Sequence, residues 1–86
     1  MRLEDWVRET ARLRQLSYRT EEAYWGWARQ HILFHHERHP DELGPNDVRS
    51  FLSHLVRDRK VAISTQRQAL NALVFLEVGQ KRRLRR

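Results

Sequence analysis

The sequence predicts an all-α fold, a compact four-helix bundle, on three observations. Apolar residues recur at three- and four-residue spacing in four separate stretches, the pattern that lines one face of an α-helix. Start signals stand between those stretches, at Thr20, at Gly44-Pro45 and at Ser64. No stretch shows the strict alternation of a half-buried strand.

The first helix is expected over about Leu3 to Leu13, with Leu3, Trp6, Val7, Thr10 and Leu13 on one face. A loop, Gln15 to Arg19, follows it. Thr20 is a good N-cap for a second helix over roughly Glu21 to Arg38, because its hydroxyl can accept from a free N–H and Glu21 and Glu22 suit the positive first turn. The inward stripe of that helix is Tyr24, Trp27, Ala28, His31, Phe34 and His35, and Pro40 stops it. Trp25 lies off the stripe and is expected at the surface. The third helix opens on Gly44, with Pro45 at its first position, where a missing N–H costs nothing, and it ends near Arg57 to Lys60. Val48, Phe51, Leu52 and Leu55 form its stripe. Ser64 caps the fourth helix, whose stripe is Ala69, Leu70, Leu73 and Leu76, widened by Val74 and Phe75; Gly79 suits the position just past its end. Short loops between helices of this length give a bundle.

At 86 residues the chain is one domain, and a chain this small buries only about 60% of its unfolded surface. It has no cysteine, so its core must hold it without disulfides. No apolar run approaches the roughly 18 residues a membrane span needs, and the charged start Met1-Arg2-Leu3-Glu4-Asp5 is unlike a signal peptide. The net charge is +6 and its placement is uneven. Residues 79–86 carry five Lys/Arg and no acid, whereas the other residues carry twelve Lys/Arg against eleven Asp/Glu. The chain is therefore divided into a nearly neutral folded domain, 1–78, and a basic tail, 79–86. Such a tail is either a nucleic-acid arm or a solvated end.

Two helix starts carry the chemistry. Helix N-termini favour anions, because free N–H groups and the macrodipole both point at them. At the fourth helix, Ser64, Thr65, Gln66, Arg67, Gln68 and Asn71 gather the side-chain types that hold phosphates and read base edges. A capped helix with a solvated polar face has the same pattern. At the second helix, Arg19 and Thr20 are opposed by Glu21 and Glu22. His31, His35 and His39 fall at i, i+4 and i+8, a spacing that can bind zinc. His31 lies on the apolar stripe, however, and no cysteine or acidic motif completes a set, so no metal and no other cofactor is expected. No glycine-rich phosphate loop or serine elbow occurs, and Tyr18 and Tyr24 are the only tyrosines, with Tyr24 expected in the core, so neither catalysis nor a small-molecule substrate is expected.

Read in order, Leu13-Arg14-Gln15-Leu16-Ser17-Tyr18-Arg19-Thr20-Glu21-Glu22-Ala23-Tyr24, Trp27, Ile32-Leu33-Phe34-His35, His39-Pro40, Phe51-Leu52-Ser53-His54-Leu55 and Ala62 to Leu76 resemble the N-terminal core-binding domain of tyrosine recombinases, in the integron-integrase branch. The resemblance spans roughly residues 5–78. It implies a SAM-like four-helix bundle forming half of a clamp on duplex DNA at recombination sites, with the second and fourth helices against the groove and backbone. The contacts it implies are Arg19, Thr20, Tyr24, Lys60, Ser64, Thr65, Gln66, Arg67 and Asn71. The implied partners are double-stranded attachment-site DNA and other recombinase subunits, in the bacterial cytoplasm and on the nucleoid when bound. The family's catalytic set, with its tyrosine nucleophile, has no counterpart here, so the chain is expected to bind without cutting. An alternative is a helical module that contacts or interferes with recombinase subunits. Two positions depart from the family pattern. His31 replaces an apolar aromatic residue and, if buried neutral, would weaken the core on acidification. Glu77-Val78-Gly79 and the tail replace the extended end of the fourth helix.

Overall fold

Among the described residues four α-helices form, in the order α1 (Leu3–Leu13), α2 (Tyr18–Phe34), α3 (Pro45–Arg57) and α4 (Ile63–Leu84). The structure, a computed structural model, describes the backbone of residues 3–38 and 42–84 and the side chains of residues 3–38 and 42–78. His39 and Pro40, and with them the helix stop expected at Pro40, lie outside the described residues, as do the side chains of the basic segment 79–86.

The all-α expectation holds, and the helix ends move for local reasons. α1 closes through a left-handed Gln15, φ 60°. Leu16 N–H then reaches the Ala11 carbonyl at 3.0 Å and Gln15 N–H the Arg12 carbonyl at 2.9 Å. This is the Schellman arrangement, built without its usual glycine. α2 starts three residues earlier than expected because Ser17, not Thr20, is the cap: its Oγ accepts from Thr20 N–H at 3.1 Å. α2 also stops at Phe34 rather than Arg38. His36 and Glu37 turn left-handed, and Glu37 N–H bonds the Ile32 carbonyl at 2.9 Å. α3 begins as expected, with Gly44 as the cap, Pro45 in the first turn and Asp47 Oδ2 accepting from Gly44 N–H at 2.8 Å. That bond holds the Asp47 carboxyl below its ordinary pKa. α4 corrects two expectations. Ser64 lies inside the helix instead of capping it, and the helix runs straight through Gly79 to Leu84. Gln80-Lys81-Arg82-Arg83-Leu84 are all good helix formers, so one glycine does not end the run.

Two apolar clusters make the core. Trp27, Phe51, Leu55, Ala69, Ala72 and Leu73 join α2, α3 and α4. Val7, Ala28, Phe75 and Leu76 join α1, α2 and α4, with Trp6 and Trp25 packed against them. Trp25 is thus half-buried, contrary to the surface position expected of it. Tyr24 touches both clusters, and its ring lies 5.1 Å from Phe75. The apolar stripes are otherwise narrower than the periodicity implies. Leu13 is 77% exposed and Ala11 is buried in its stead, while Leu70 and Val74 are exposed at 43% and 48%. No helix among the described residues is long and apolar enough to cross a membrane.

α2 and α4 run antiparallel. Tyr24 meets Phe75, the Trp27 indole N–H donates to Gln68 Oε1 at 3.3 Å, and Arg59, just before α4, donates to Gln30 Oε1 at 2.6 Å. This pairing decides where the two helix starts stand.

Candidate nucleic-acid interface

The exposed side of α4 is built from residues three, four and seven apart. Ser64, Arg67, Gln68 and Asn71 are all exposed and fall on one face. Thr65 and Gln66 are half-buried on the flanks of that face. Gln66 donates its side-chain amide to the Val61 carbonyl at 3.2 Å, so it ties the incoming loop to the helix. No side chain among the described residues accepts from the first N–H groups of α4; the first bond at this end is Gln66 N–H to the Ala62 carbonyl at 3.0 Å. The start of α4 therefore presents unclaimed donors together with the hydroxyls of Ser64 and Thr65. Lys60 precedes it, exposed, in the left-handed region at φ 50°.

The start of α2 is organised differently. The Ser17 hydroxyl accepts from Thr20 N–H and donates to Thr20 Oγ1 at 3.0 Å. Thr20 is half-buried and occupied by its cap, while Arg19 is exposed. Tyr24 is half-buried between the clusters, where its ring is part of the core. The acids expected to repel an anion here are already engaged. Glu21 is 2% exposed and accepts from Arg8 at 2.9 Å and Arg12 at 3.1 Å. Glu22 also accepts from Arg8, and Glu4 does so at 3.0 Å. Arg12 and Arg8 hold the Glu21 carboxyl below its ordinary pKa, and the carboxylates, Glu21 first, raise that of Arg8. This charge cluster clips α1 to α2. Arg8 and Arg12, four apart on α1, were the sequence signal for it.

The two starts do not converge on one anion. From the Tyr24–Phe75 contact, Thr20 lies one turn towards one end of the antiparallel pair, and Thr65 lies ten residues towards the other. At 1.5 Å per residue they are separated by about 20 Å along the helices. Of the residues implied as contacts, Ser64, Arg67 and Asn71 thus share one face near Lys60. Arg19 and Thr20 stand at the far end, and Tyr24 is inside. Among the described residues, no ion pair involves Arg19, Arg29, Lys60 or Arg67, so these four cations are unpaired there.

His31, His35 and His54 belong to the α2–α3 packing. His31 is 2% exposed, its Nδ1 has no hydrogen-bond partner among the described residues, and its ring stands 5.4 Å from Phe51 and 4.9 Å from His35. Burial first, and then His35, pushes its pKa down to about 4. His35 Nε2 donates to the Asp47 carbonyl at 2.9 Å. Among the described residues, no group of three or more His, Cys, Asp or Glu is placed to hold a metal; His39 lies outside them.

Residues 3–77 match the family model described as the phage integrase N-terminal SAM-like domain. The chain is also 52% identical over 71 residues to an integrase/recombinase of Escherichia coli, and to the same degree to one of Pseudomonas aeruginosa. Each alignment covers 83% of this chain and 21% of the relative, so the chain spans about a fifth of the length of these curated proteins. A four-helix bundle matched over nearly all its described length belongs to the phage integrase N-terminal SAM-like domain family.

Proposed function

We propose that this chain is the DNA-gripping N-terminal domain of an integron-integrase-type tyrosine recombinase, binding double-stranded attachment-site DNA in the bacterial cytoplasm without cutting it. The observation that carries this reading is the start of α4, where unclaimed N–H groups, the exposed residues Ser64, Arg67 and Asn71, and the uncompensated Lys60 share one surface. Family membership supports it, as do the 52% identical relatives named integrase/recombinase. On this reading residues 1–78 are the core-binding unit and 79–86 a basic extension that adds sequence-independent attraction. Arg19 and Thr20 touch the backbone at the far end of the α2–α4 pair, and Thr65, Gln66 and Tyr24 act mainly by positioning.

Titration of duplex and hairpin attachment-site DNA at several salt concentrations tests the proposal. With ~4–6 phosphate contacts, the log–log slope of affinity against salt is expected near −4 to −5. Arg67→Ala with Asn71→Ala should lower affinity about tenfold or more and leave the helical signal intact. Absence of binding at low salt rejects the reading.

A second reading, contact with recombinase subunits, rests on the exposed Ile63, Leu70 and Val74 of α4 beside Val56 of α3. Leu52, Val56, Ile63, Gln66, Arg67 and Leu70 line a cavity of about 260 Å³ there. A strictly monomeric sedimentation profile across concentration argues against self-association through this surface.

A further inference from the structure

Gly26 stands in the middle of α2, where glycine is a poor choice. It lacks a side chain to restrict the unfolded chain, and it weakens a helix relative to alanine. The usual internal reasons for keeping one are missing. Its φ is not in the left-handed region. A β-carbon placed on it would meet nothing within 4 Å, so no neighbouring helix requires the gap. Gly26 is partly exposed, and its face of α2 also carries Arg19, seven residues before it, and Gln30, four residues after it. Gln30 accepts from Arg59, and the adjacent Trp27 donates to Gln68 of α4, so Gly26 borders the α2–α4 seam. Arg19 and Arg29 flank it, and neither is ion-paired among the described residues.

We infer that Gly26 is the point where the phosphodiester backbone of a bound duplex comes closest to α2, and that its missing side chain sets how deeply the domain seats on DNA. The inference rests on the DNA-binding reading above and adds a positioning residue to it. With no Cβ, the helix backbone can lie against a sugar–phosphate strand while Arg19 and Arg29 reach phosphates on either side. Any protruding side chain lifts the strand and shortens the reach of both arginines.

The test compares the 86-residue chain with Gly26→Ala and Gly26→Leu, using a short fluorescein-labelled duplex of mixed sequence and thermal unfolding in parallel. Alanine should raise the melting temperature by roughly 4–8 °C, because helix propensity improves and nothing clashes. Despite that gain, leucine should weaken binding about tenfold, and the salt slope should become shallower by about 1 to 2 as phosphate contacts are lost. Alanine should fall between. Gln15→Gly, which relaxes a left-handed residue at the end of α1, serves as a stabilised control with unchanged affinity. If wild type binds and the leucine variant binds equally well, the inference about Gly26 is overturned and the DNA-binding reading survives. A lowered melting temperature in both variants would give Gly26 an internal role and also overturn it. If the wild-type chain itself fails to bind at low salt, both readings fall.

Discussion

The starts of α2 and α4 look alike in sequence, each with neighbouring hydroxyls and an arginine, and the fold uses them in opposite ways. At α2 the hydroxyls satisfy each other and the cap, and the acids are consumed by Arg8 and Arg12. At α4 no side chain among the described residues caps the helix, and its free donors stand beside the exposed Ser64 hydroxyl. A polar helix start that is internally saturated stabilises the protein. One that is left open can act on something else. The difference cannot be read from composition, because it depends on which residue becomes the first of the helix.

Three changes separate the two roles. The largest effect is expected at the saturated end. Glu21→Ala removes the acceptor that Arg8 and Arg12 share and breaks the tie of Arg12 to α2, while Arg8 keeps Glu4 and Glu22. Its urea midpoint should fall by more than that of any other substitution named here, while DNA affinity per folded molecule stays unchanged. A midpoint equal to wild type would break the contrast.

Next is acid sensitivity. The folded His31 pKa, about 4, lies below its ordinary 6.5, so the fold favours the neutral ring. Its contribution is complete above pH 6.5 and is lost as pH falls towards 4. Glu21 and Asp47 are shifted down from 4.5 and 3.8, so their contributions fade only below those values. Between pH 6.5 and 4.5 His31 should therefore contribute a decline of up to roughly 2–3 kcal/mol, at about 1.4 kcal/mol per unit. His31→Phe should flatten the stability profile across that window in denaturant titrations. An unchanged slope would mean that His31 takes up its proton without leaving its site.

The smallest and most direct change is the pair Ser17→Ala and Ser64→Ala. The first loses a cap and should cost about 1 kcal/mol of stability with no change in affinity. The second should alter stability by less than about 0.5 kcal/mol and weaken DNA binding. The reverse pattern would exchange the roles assigned to the two ends.

The helices were legible because periodicity records burial directly: Trp27, Phe51, Leu55, Leu73 and Leu76 all point inward as their spacing implies. The ends were harder. Gln15 and His36 take the left-handed positions that glycine usually fills, whereas Gly79 lies within a helix. Breaker residues therefore misled at two termini, the ends of α2 and α4, while α1 ends at Leu13 as its pattern implies. Leu13 and Leu70 extend their stripes in sequence, but both are exposed in the fold. The site was half legible. Ser64, Arg67 and Asn71 share a face by spacing alone, but the separation of the two helix starts follows from antiparallel pairing, which no local pattern encodes. The Arg59–Gln30 bond joins residues 29 apart and had no signal.

The division of the core into two clusters has a further consequence. α2 and α4 contribute to both, with Tyr24 at the junction, while α1 and α3 each serve only one. The domain is thus a two-helix spine with a strap on each side, and either strap can loosen without taking the other with it. A ligand that binds the spine tightly only while both straps are docked opposes both local openings at once. Occupancy of the α4 surface would then be felt as slower amide exchange in helices that the ligand never touches.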